Sequence, residues 1–188
     1  MAAGDLLLYL GMYRKGCRTE EVHRLSGRDG SLSKAPYQKY LKQLKRRYFP
    51  FMTRFGLPYW ALAVGVNRYF RKNGISLKAG WGLAPWKMKL RMEEMLEQDI
   101  PVIFAIGPNF PPVIRKGKLN LYVRKPDGEF QWAARTRAHY VVATGMKEGK
   151  VQISSWGKTY FVDWEEYKTY VRRYSNYFMS NLFYIYKK

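Results

Sequence analysis

The period of the hydrophobic pattern changes near residue 75, and that change limits the fold more than any other feature of the chain. Before it, apolar residues recur at helical spacing; after it, short β-rich runs alternate with Gly, Pro and charged turns. The first half predicts a helix through Leu6, Leu7, Leu10 and Tyr13 that stops at Gly16, and a short one capped by Thr19 and closed by the Gly27–Gly30 loop. A third is capped by Ser33 and runs through Tyr40, Leu44 and Tyr48 to a stop at Pro50; a fourth is opened by Pro58 and closed by Asn73-Gly74. One more helix, Trp86 to Gln98, precedes the strands. Those are Pro101–Ile106, Leu119–Arg124, Glu129–Trp132, His139–Thr144, Val151–Ser155 and Thr159–Val162, with tight turns at Pro126-Asp127-Gly128 and Lys147-Glu148-Gly149. Asp163 caps a last helix to Arg173, and Leu182–Tyr186 closes the sheet. Helices first and antiparallel strands afterwards predict an α+β fold in one domain, with a helical lobe over 1–98 and a sheet lobe over 99–188.

Composition excludes several classes. With 47% apolar, 17% aromatic and 26% charged residues, the 188-residue chain has the makings of a packed core rather than a disordered tail. A single cysteine, Cys17, rules out a disulfide framework and a Cys-rich zinc site, and His23 and His139 leave few other ligands, so neither metal nor cofactor is expected. The longest apolar stretch, Leu57 to Val66, is about half of the roughly 20 residues that a bilayer requires. The N-terminus has no basic segment and carries Asp5 ahead of its apolar run, so a cytoplasmic protein without an export signal is expected.

Two stretches carry candidate chemistry. In Arg137–Gly157 a His opens an apolar strand, a tight turn follows, and the second strand ends in Ser-Ser-Trp-Gly. Hairpin geometry brings His139 near Ser154, whose hydroxyl can orient an imidazole; the plain alternative is a strand-edge histidine beside a polar turn. The second is cationic. The formal charge is +20, and no acidic residue occurs between Asp29 and Glu93. Within that window Lys39, Lys42, Arg46 and Arg47 share a helix with Tyr40, Leu44 and Tyr48, a pattern that suits nucleic acid or another polyanion and equally suits a solvated face on a core helix. Gly80-Trp81-Gly82 and Gly107–Pro112 read as turns shaping a cleft, with Trp81, Asn109 and Trp156 as candidate substrate contacts. Asp163, Glu165 and Glu166 sit where a helix N-terminus wants carboxylates, which accounts for them without a catalytic role.

The His139-Tyr140-Val141-Val142 strand, the Ile100-Pro101-Val102-Ile103 strand before it and Ser154-Ser155-Trp156-Gly157 together resemble the histidine-bearing half of papain-like cysteine peptidases, in particular the bacterial family related to double-glycine leader peptidases. Residues 1–11 resemble the part of that family's first core helix that follows its catalytic Cys-Gly. The resemblance implies a papain-like fold, His139 as catalytic base in a cleft at the N-terminus of the first helix, and Ser154 where the family has Asn or Asp. It implies a peptide, another amide or a thioester as substrate and hydrolysis by a Cys–His pair. Cys17 follows the far end of that helix, where backbone carbonyls disfavour a thiolate, so the expected protein is a cysteine peptidase-like chain that is truncated or inactive as given. The alternative expectation is a cytoplasmic polyanion-binding module.

Overall fold

The computed structural model describes residues 2–25, 33–50, 57–155 and 157–187. The fold is α+β, with two compact units: Met1–Trp81 with Ile185–Lys188, and Gly82–Tyr184. The helix that follows residue 84 packs on strands of the second unit. No helix among the described residues is long and apolar enough to cross a membrane.

The first unit holds α1 (Ala2–Tyr13), α2 (Glu20–Leu25), α3 (Lys34–Tyr48), α4 (Tyr59–Lys72) and β1 (Leu77–Trp81). Helix α1 is apolar on nearly every side, and it buries Leu6, Leu7, Leu8 and Leu10 as an interior helix should. Gly16, at φ 84°, ends that segment, and the Thr19 hydroxyl accepts the Val22 N–H at 3.3 Å to start α2. Helix α3 buries the expected Tyr40, Leu44 and Tyr48, although Ser33 makes no side-chain cap bond. The Gly27–Gly30 loop lies outside the described residues.

Strand β1 corrects the reading of Gly80-Trp81 as a turn. Its place is set by a side chain: Asn67 of α4 donates Nδ2 to the Ala79 carbonyl and accepts the Ala79 N–H at Oδ1, both at 2.8 Å. One amide therefore satisfies both backbone groups of Ala79, a device that periodicity does not reveal.

The second unit contains α5 (Pro85–Glu97), β2 (Val102–Ile106), β3 (Leu119–Arg124), β4 (Phe130–Thr136), β5 (His139–Lys147), β6 (Lys150–Ser155), β7 (Lys158–Asp163) and α6 (Trp164–Tyr174), and β8 (Leu182–Lys187) begins in it. Its strands lie in the order β8-β2-β5-β6-β7-β3-β4. Every residue of β2 is buried, as expected of a strand covered on both faces. The Phe104 ring sits 4.4 Å from that of Tyr167 on α6, whose hydroxyl donates to the Ala105 carbonyl at 3.1 Å. The β5–β6 hairpin turns through Glu148 at φ 54° and Gly149 at φ 74°, the paired positive values of a tight two-residue turn.

Candidate functional site

His139 opens β5 opposite Ile106, the last residue of β2. Just before it, Ala138 takes φ 51° and donates its N–H to the Gly107 carbonyl at 3.3 Å, so the chain enters the strand from a fixed corner. The imidazole is half-buried, and its Nε2 lies 2.7 Å from Oγ of Ser155, the last residue of β6.

The partner is Ser155 and not Ser154, and the cause is a bulge. From the turn, Lys147 pairs with Lys150, Met146 with Val151 and Gly145 with Gln152. Continued without interruption, that register would set Ser154 opposite Ala143, on the face His139 shares. The register instead shifts between Ala143 and Gly145, so Ala143 meets Ile153 and Val142 meets Ser154. A shift of one residue exchanges the two faces of a strand. Ser154 is consequently exposed on the other side, while Ser155 is 7% exposed and turns toward the imidazole. That burial keeps the Ser155 hydroxyl away from solvent.

Burial lowers the His139 pKa below its ordinary value, because water no longer solvates the imidazolium. A neutral imidazole can accept a proton, the state a general base requires. Serine holds the ring through a neutral hydroxyl and offers no carboxylate to favour the cation.

The other predicted site residues are distributed differently. Trp156 lies outside the described residues. Asn109 is 7% exposed, and its Oδ1 lies 3.5 Å from the Tyr170 hydroxyl, which donates to the Gly107 carbonyl at 2.7 Å. Asn109 is thus buried beside the Gly107 corner. Trp81, in β1 of the first unit, stacks on Tyr59 with ring centroids 5.3 Å apart. Cys17, also in the first unit, is 5% exposed; burial raises its pKa, against a smaller opposing effect of Arg14. It is a shielded thiol, the opposite of an activated one.

On α3, Lys39, Lys42 and Arg46 are exposed and follow one another along one face, whereas Arg47 is ion-paired with Glu21. Asp163 accepts the N–H groups of Glu165 and Glu166 at 2.9 and 3.0 Å, which is the capping role expected of it. Among the described residues no group of three or more His, Cys, Asp or Glu side chains could hold a metal ion. Comparisons of the chain with family models, curated proteins and solved structures find no match.

Proposed function

We propose that the chain has a papain-like fold and carries the histidine half of a thiol hydrolase site, with His139 as proton carrier and Ser155 as the group that orients it. The observation behind this reading is the half-buried His139–Ser155 pair at 2.7 Å on neighbouring strands. In the proposed reaction a cysteine thiol gives its proton to His139, and the thiolate adds to an amide or thioester carbonyl of a peptide-like substrate. The tetrahedral intermediate collapses as His139 returns the proton to the departing amine or thiol. Water then attacks the acyl-enzyme, giving its proton to His139, and the carboxylic acid and the free thiol are restored.

Cys17 does not fit the nucleophile, since burial raises its pKa. The chain by itself is therefore proposed to be inactive as a thiol hydrolase, and the nucleophile to be a different cysteine. The test is an electrophilic thiol probe applied to the full product of the gene. Reaction well below the roughly 8.5 of a free thiol, lost in His139→Ala and kept in Cys17→Ser, supports the reading; labelling that follows Cys17 ends it.

A second reading, a nucleic-acid or other polyanion-binding surface, is favoured by the exposed Lys39, Lys42 and Arg46 on α3. It predicts binding that weakens steeply with salt and is lost on charge reversal of Lys42 and Arg46. Negligible affinity for DNA and RNA at low salt ends that reading.

A further inference from the structure

Four cations of the second unit face one cleft. Lys116, Lys118, Arg135 and Arg137, with Asn120 and Tyr174, line a space of about 520 Å³. The two strands explain the convergence: Leu119 pairs with Thr136 and Asn120 with Arg135. Leu119 and Thr136 are 2% and 6% exposed, so alternation sends Lys118, Asn120, Arg135 and Arg137 to the opposite face. Like charges gathered at neighbouring strand positions repel, and the ion pairs among the described residues include none of these four. An anionic ligand would relieve that repulsion.

The cleft is also organised. Arg135 donates Nε to Asn120 Oδ1 at 3.0 Å, and Asn120 Nδ2 donates to Glu166 Oε2 at 3.1 Å, so the guanidinium is oriented from behind. Its central carbon lies 5.7 Å from the Trp132 ring centroid, a second contact that holds the guanidinium in place. Tyr174 ends α6 directly on Gly117, where a Cβ would come within 2.2 Å of the ring. The negative end of that helix is also screened, because Arg115 Nη1 donates to the carbonyls of Arg172 and Ser175 at 3.3 and 3.2 Å.

We propose that this cleft binds a compact ligand bearing two adjacent phosphate groups. Guanidinium forks match phosphate oxygens bidentately, two lysines supply further charge, and a single carboxylate would leave most of the repulsion in place. The depression is open to solvent, which leaves room for the group that carries the phosphates.

The test is calorimetric titration of the folded chain with inorganic pyrophosphate, with citrate and an oligonucleotide lacking a terminal phosphate as comparators. Pyrophosphate binds at least tenfold more tightly than citrate, Arg135→Ala with Arg137→Ala weakens it tenfold or more, and Asn120→Ala weakens it severalfold. Lys116→Ala with Lys118→Ala gives an independent loss should the arginine pair disturb folding, which circular dichroism would reveal. Arg71→Glu with Lys72→Glu, exposed on α4 of the other unit, leaves the affinity within twofold. Equal binding of citrate, equal loss in the α4 variant, or an oligonucleotide that binds where pyrophosphate does not would overturn the proposal.

Discussion

His139 and Ser155 meet end to end across neighbouring strands, with Nε2 2.7 Å from Oγ and the hydroxyl on the buried side. A ring hydrogen-bonded in this way has a fixed orientation. Ser155→Ala should therefore change the chemical shift and the titration of the His139 ring in an NMR experiment, and Ser154→Ala should leave both in place. The reverse pattern would contradict the strand register described above.

Acid should weaken the fold through the same residue. The folded-state pKa of His139 lies below the ordinary 6.5, so the unfolded chain takes up the proton first as pH falls. Its contribution is fully present above about pH 6.5 and is lost as pH drops toward the lowered value. Urea midpoints measured between about pH 5 and 7.5 should fall on the acid side, and His139→Gln should flatten that slope.

Asp163 joins a helix cap to an ion pair. Burial alone would raise its carboxyl, but the Glu166 N–H, Lys150 and the Glu165 N–H together hold it below its usual range. Lys150 Nζ lies 2.9 Å from Oδ2. Asp163→Ala should cost ~1–2 kcal/mol in urea unfolding, whereas Asp163→Asn keeps a capping oxygen and should cost about half as much. That stabilisation is present above the ordinary carboxylate pKa and disappears as pH falls through the lowered one.

Cys17 gives a simple check on accessibility. A thiol 5% exposed, with its pKa raised by burial, should react slowly with a thiol probe in the native chain and rapidly in denaturant. Rapid native labelling would show that the thiol is not shielded.

Elements governed by period and capping were legible in the sequence: the buried stripe of α3, the Thr19 and Asp163 caps, and the turn at Glu148-Gly149 all follow from local chemistry. Features that depend on contacts between distant residues were not. β1 is fixed by Asn67, and Ser155 replaces Ser154 because one bulge at Thr144 reverses the strand faces beyond it. Asn109 belongs to a Gly-Pro loop, where a polar residue is normally exposed, yet tertiary packing leaves it 7% exposed. The phosphate cleft did carry a signal. Lys116-Gly117-Lys118 and Arg135-Thr136-Arg137 each alternate cations at strand spacing, and only the β3–β4 register shows that they converge.

The proposed role of His139 as proton carrier of a thiol hydrolase site is tested by the pH dependence of thiol-probe labelling in the full product of the gene, with and without His139→Ala. The predicted result is labelling at a cysteine other than Cys17, proceeding well below the roughly 8.5 of a free thiol and slowed by orders of magnitude in the variant. Labelling confined to Cys17, or a rate indifferent to His139, would contradict it.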